Sequence, residues 1–122
     1  MKAMLCKESG PIESLVLEDF ELPPLGEGEV RVRVRSAGVN FPDILITQGI
    51  YQFKPAHPFS PGSECAGDVL SVGPGVTDFK AGDRVIAMTG HGAFAEEVNT
   101  LASNCLHLPD DISYELGSAF VL

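Results

Sequence analysis

Two stretches hold the side chains best suited to chemistry. One is Gly38-Val39-Asn40-Phe41-Pro42-Asp43; the other runs from Pro58 to Gly75 and packs Gly62, Ser63, Ala66 and Gly67 around a single acid, Glu64. Asn40 offers an amide that can donate to a carbonyl oxygen, or cap the helix that follows it. Glu64 sits among small and apolar residues, so a buried carboxylate there must find partners; Arg84 is a candidate. A strand as poor in bulk as Gly62–Gly67 implies close approach to its backbone by another strand or a ligand. His57, His91 and His107 are scattered, as are Cys6, Cys65 and Cys105. A zinc site from His57 or His91 with Cys65 lacks ligand spacing, and there is no C-x-x-C. No G-x-G-x-x-G, G-x-S-x-G or H-E-x-x-H motif is present.

Short strands must position these residues. Val30, Val32 and Val34 alternate with Arg31, Arg33 and Arg35, so the valines share one sheet face and the arginines the other. The arginine row reads as a wetted face pairing with Glu18, Asp19 or Glu21 rather than as a phosphate site. Further strands are expected at 3–7, 15–20, 69–72, 84–88, 93–98 and 105–108. Asn40, Pro42, Asp43 and Gly49 mark the ends of a short helix. A second helix is expected from Ser113, with Leu116, Ala119 and Phe120 as its apolar face. The loop 50–63 carries Tyr51, Phe53, His57 and Phe59, which either line a pocket or plug the core. The chain stops at Phe120-Val121-Leu122 with no helix stop signal, which suggests a fragment whose cut end is apolar and prone to self-association.

The 122 residues carry a formal charge of −9, with 44% apolar residues, 13 glycines and 9 prolines. That size predicts one domain, and the punctuation favours strands over long helices. The acidic balance argues against nucleic acid and anionic membranes as partners. No apolar run approaches the roughly 18 residues a membrane helix needs. Unpaired cysteines and the early charge at Lys2 point to a cytoplasmic protein.

An ordered set of motifs adds a resemblance. Gly38–Asp43, Gly49-Ile50-Tyr51, Pro61-Gly62-Ser63-Glu64-Cys65-Ala66-Gly67, Val72-Gly73-Pro74-Gly75-Val76, Gly82-Asp83-Arg84-Val85 and Gly92-Ala93-Phe94-Ala95-Glu96-Glu97 resemble, in order and spacing, the medium-chain dehydrogenase/reductase superfamily. The resemblance covers essentially the whole chain. It implies a mainly β, partly open GroES-like barrel with a short internal helix and a cut-off C-terminal helix. Residues 1–122 would be the N-terminal substrate domain, without the Rossmann cofactor domain. Asn40 and Ser63 stand where zinc enzymes of the superfamily carry cysteine and histidine. Both are poor zinc ligands, so the resemblance points to the zinc-free branch of NADPH:quinone oxidoreductases and zeta-crystallin-like proteins.

That branch implies NADPH as cofactor, no zinc, a quinone or enone as substrate, and a homodimer when full-length. By position Asn40 would face the nicotinamide and donate to the acceptor carbonyl. Tyr51 would line the pocket or donate its hydroxyl, with a packed aromatic as the competing role. Phe41 and Phe94 would be apolar walls, and Ser63 would leave room where a metal ligand would otherwise point. The other open reading is a free-standing GroES-like binding or assembly module. The fragment alone is expected to turn over nothing.

Overall fold

The computed structural model describes residues 1–52 and 54–119. Phe53 in the aromatic loop and the apolar end Phe120, Val121 and Leu122 lie outside the described residues. Strands β1 (Lys2–Leu5) and β2 (Val16–Asp19) form an antiparallel ribbon. Strands β3 (Glu29–Gly38), β4 (Glu64–Val72), β5 (Arg84–Met88), β6 (Glu97–Leu101) and β7 (Cys105–His107) form a second antiparallel sheet in the order β6-β3-β4-β5-β7. Helix α1 (Phe41–Gln48) follows β3, and α2 (Tyr114–Ser118) follows β7. Among the described residues the architecture is mainly β, with two sheets and no closed barrel.

The valine row of β3 builds the core. Val30 and Val32 are fully buried, and Val34 packs partly against the same cluster with Cys65, Val69, Val85, Ala87, Val98 and Cys105. Each such valine contributes about 1.5–3 kcal/mol by leaving water. The arginines face outward, as expected, but not toward Glu18 or Asp19. Arg31 donates to Asn99 Oδ1 at 2.9 Å and to the Pro23 carbonyl at 2.8 Å, and Arg35 binds Asp68 at 2.8 Å. Glu18 and Asp19 pair with Lys7 and Lys2 instead. The reason is topological: β2 belongs to the other sheet, whereas β3 has β4 and β6 as neighbours.

The small residues of β4 admit β3. A Cβ on Gly67 would lie 1.9 Å from the Arg33 carbonyl oxygen, so only a bare backbone allows the strands to close there. Residues 93–96 are not part of β6, contrary to expectation. They run beside β1 instead, with the Met4 N–H on the Phe94 carbonyl at 2.8 Å and the Glu96 N–H on the Lys2 carbonyl at 3.0 Å. Helix α2 also differs. Leu116 is 63% exposed, and the buried positions are Gly117 and Ser118. Its close seat explains this, since a Cβ on Gly117 would come within 2.9 Å of Leu108 and 3.4 Å of Ala66.

Candidate functional site

Helix α1 starts where β3 ends, and that junction gathers the polar residues. Asn40 is extended, with φ −128° and ψ 159°, and Asp43 closes the acid half of a capping box on it, while the Asp43 N–H meets the Asn40 backbone carbonyl at 3.0 Å. Its backbone N–H donates to Asp43 Oδ2 at 2.8 Å. Pro42 occupies the first helical turn, where its missing N–H costs nothing, and Gly49 closes the helix in the left-handed region at φ 75°.

The Asn40 side chain reaches across the sheet and donates through Nδ2 to Glu64 Oε1 at 3.0 Å. Gly38 is the direct cross-strand partner of Glu64. A Cβ on Gly38 would sit 2.4 Å from Glu64 Oε1 and 2.9 Å from the Ser118 carbonyl oxygen. The glycine is therefore the space into which the carboxylate fits. Arg84, the sequence candidate for Glu64's partner, is elsewhere: it donates to the carbonyls of Pro109 and Ile112, each at 2.7 Å, and lies over the Tyr114 ring.

Asp43 and Glu64 are both 2% exposed. Burial pushes the Asp43 carboxyl above the usual carboxylate range. The Asn40 N–H and Ser63 pull it back, and the Glu64 charge pushes it up again. Ser63 faces this carboxyl closely enough to act on it, yet neither Ser63 Oγ nor Asp43 Oδ1 has a well-formed hydrogen bond. Two buried carboxylates, an amide and a hydroxyl thus share one junction. Val39 and Phe41, 74% and 69% exposed, flank Asn40 with apolar surface.

The structure brings Asn40 and Ser63 together with Glu64. Phe94 is half-buried beside the same turn: its N–H donates to the Pro61 carbonyl at 3.0 Å, and a Cβ on Gly62 would meet its ring at 2.7 Å. Phe41 is exposed next to Asn40. Tyr51 is half-buried against the separate cluster of Cys6, Ile46 and Phe59. Asp43 was legible only as a helix-start acid; its spacing of three from Asn40 was the available signal for the capping box.

Other candidate groups lie outside this junction. A cavity of about 470 Å³ is lined by Phe20, Pro58, Phe59, His91, Glu97 and Val98 among others, and by none of Asn40, Tyr51 or Ser63. His91 is half-buried rather than an exposed turn residue, and burial lowers its basicity. Burial pushes the Cys65 thiol up to about 12 and Cys105 to about 11. Among the described residues no group of three or more His, Cys, Asp or Glu side chains is placed to hold a metal ion.

Residues 26–110 match the alcohol dehydrogenase GroES-like domain. A quinone oxidoreductase-like protein 2 homolog of Nematostella vectensis is 41% identical over 99% of this chain and 33% of its own length. The human synaptic vesicle membrane protein VAT-1 homolog-like protein superposes with a TM-score of 0.92 at 35% identity, covering 98% of this chain and 39% of that one. Escherichia coli quinone oxidoreductase complexed with NADPH gives 0.90 at 34% identity, over 98% of this chain and 37% of that one. The chain spans about a third of the length of the curated relatives it matches. The motifs, the open two-sheet fold and the match over residues 26–110 agree: this chain belongs to the alcohol dehydrogenase GroES-like domain family of the medium-chain dehydrogenase/reductase superfamily.

Proposed function

We propose that the chain is the N-terminal substrate domain of an NADPH-dependent, zinc-independent oxidoreductase that reduces quinones or related conjugated enones. The observation that carries this reading is the half-buried Asn40 amide, anchored on Glu64 and flanked by the exposed apolar residues Val39 and Phe41. A carbonyl acceptor gains negative charge as it is reduced, and a fixed N–H donor stabilises that charge. Val39 and Phe41 offer apolar surface for a flat ring beside the donor. Similarity to quinone oxidoreductases, including one complexed with NADPH, supports the same reading.

The junction fits the nicotinamide end of the cofactor and not its phosphates. Asn40 provides the polar contact, while Arg31, Arg35 and Arg84 are engaged with other partners. When bound, NADPH supplies the hydride; the protein orients the acceptor and excludes water. Phosphate contacts are assigned to a Rossmann domain beyond this chain. The donor set argues against zinc catalysis. Asn40 and Ser63 offer an amide and a hydroxyl, both poor zinc ligands; the Asp43 and Glu64 carboxylates are each bonded to Asn40, and burial raises the neighbouring Cys65 thiol to about 12. Relatives named for a synaptic vesicle membrane protein match at comparable identity. A second reading is a domain that binds a partner without turnover, since the fold alone does not fix function.

One experiment separates these readings. The complete protein is treated with a chelator and assayed for NADPH consumption with a quinone. Turnover without metal is expected, and Asn40→Ala should lower kcat about 100-fold. Turnover restored only by zinc would overturn the metal-free reading. Absence of turnover with any quinone or enone would favour the binding module.

A further inference from the structure

We propose that Glu64 is a positioning residue that sets which way round the Asn40 amide lies, so that its remaining N–H, not its oxygen, is offered to the acceptor carbonyl. The inference rests on the oxidoreductase reading above and goes beyond it by assigning a task to the buried acid. A carboxamide is nearly symmetric in shape, and its two ends have opposite hydrogen-bonding character. At an active site an inverted amide would present an acceptor to an oxygen gaining charge. Something must therefore fix its orientation.

One contact fixes it here. Asn40 Nδ2 donates to Glu64 Oε1 at 3.0 Å, so the acid faces the NH₂ end of the amide and not its oxygen. The Asp43 N–H is taken by the Asn40 backbone carbonyl at 3.0 Å, so the helix start holds the Asn40 backbone and the acid alone holds its amide. One NH₂ hydrogen is thereby occupied, leaving the second as the donor on the same end of the amide. The backbone of Asn40 is pinned separately by Asp43 at 2.8 Å. Gly38 belongs to the same device, because any side chain at that position would collide with Glu64 Oε1. The Gly38-Val39-Asn40 and Gly62-Ser63-Glu64 motifs therefore form one construction: one strand end supplies the donor and the space, the other the acid that aims the donor.

The test begins with the side-chain amide hydrogens of Asn40, followed by NMR in the chain. In the unaltered chain one hydrogen should exchange with solvent about tenfold more slowly than the other, as hydrogen bonding to a buried group requires. In Glu64→Met, which keeps length and removes the acceptor, the difference should vanish. Glu64→Gln, which can still accept through its amide oxygen, should retain part of it. Equal exchange of the two hydrogens in the unaltered chain overturns the inference, even if Glu64→Met fails to fold. In the complete oxidoreductase, Glu64→Met should lower kcat about 10- to 100-fold, short of or equal to outright loss of a donor, with KM little changed. Glu64→Gln should recover part of that loss. If Asn40→Ala abolishes turnover while Glu64→Met leaves it intact, Glu64 does not position the donor. If the exchange asymmetry is present but Asn40→Ala leaves turnover untouched, the oxidoreductase role of Asn40 fails instead.

Discussion

Substituting Gly67 by alanine tests whether the closeness of β3 and β4 holds the fold together. The new Cβ would lie 1.9 Å from the Arg33 carbonyl oxygen, 2.9 Å from its carbon and 3.0 Å from Val32 Cγ1. Reaching even 3.0 Å from that oxygen requires a local shift of roughly 1.1 Å, the difference between 3.0 and 1.9 Å. Strands sit about 4.8 Å apart, and ladder bonds tolerate little stretch beyond about 3.2 Å, so such a shift breaks bonds at the Val34–Gly67 pair. Each buried group left without a partner costs about 1–3 kcal/mol, while the added methyl returns about 0.8 kcal/mol. A net loss of roughly 2–5 kcal/mol follows, a large part of the roughly 5–15 kcal/mol that holds a small domain. Urea unfolding of the chain, followed by circular dichroism, measures it. Gly82→Ala is the control: its Cβ meets nothing within 4 Å, and its φ of +95° carries only the backbone penalty, about 1–2 kcal/mol. A loss below about 1 kcal/mol for Gly67→Ala, or one no larger than the control's, would refute the reasoning.

The remaining predictions concern titration, docking and thiols. Because burial raises the Asp43 carboxyl above its ordinary 3.8, folding is favoured while it is protonated, and that contribution is lost as pH rises through the raised value. Asp43→Asn should therefore gain stability relative to the unaltered chain as pH rises from about 3.8 toward neutrality; parallel urea curves at several pH values check this, and a constant difference would contradict it. Tyr114 Oη donates to Asp68 Oδ1 at 2.6 Å and helps seat α2. Tyr114→Phe should cost about 1 kcal/mol after allowance for partial exposure, visible as a lower urea midpoint. With Cys65 pushed to about 12 and Cys105 to about 11, and Cys6 raised by burial, an alkylating reagent near neutral pH should leave all three thiols unmodified until denaturant is added. Mass spectrometry reads the result, and labelling of Cys65 in the folded chain would sink that reading.

Much of this fold is written in local pattern. The period-two valines place β3, the flanking arginines identify its wetted face, and Asn40, Pro42 and Gly49 delimit α1. What the sequence could not disclose depends on pairing between distant segments. The arginine partners follow from strand order, which puts Asn99 and Asp68 beside β3 and keeps Glu18 and Asp19 in the other sheet. The extended run 93–96 looks like the start of β6, yet its backbone bonds go to β1. Asn40 and Ser63 were visible as departures from metal-ligand types, but the bond from Asn40 to Glu64 spans 24 residues and appears only once β3 and β4 align. In α2, apolar periodicity pointed to Leu116, whereas close packing on Ala66 and Leu108 selected the small face instead.

The placement of β1 bears on how the polypeptide matures during synthesis. Strand β1 takes its outer backbone partners from Phe94 and Glu96, and the long central strand β3 gains its second neighbour only when Glu97–Leu101 arrives. A nascent segment of about half this length would hold β1 and β3 with unpaired edges, and such edges recruit other chains. Closure at this range makes the order of assembly slow and cooperative. Splitting the sequence between α1 and β4 should therefore yield no autonomous half, and the N-terminal piece would depend on chaperones or on rapid completion of its own C-terminal strands to stay soluble.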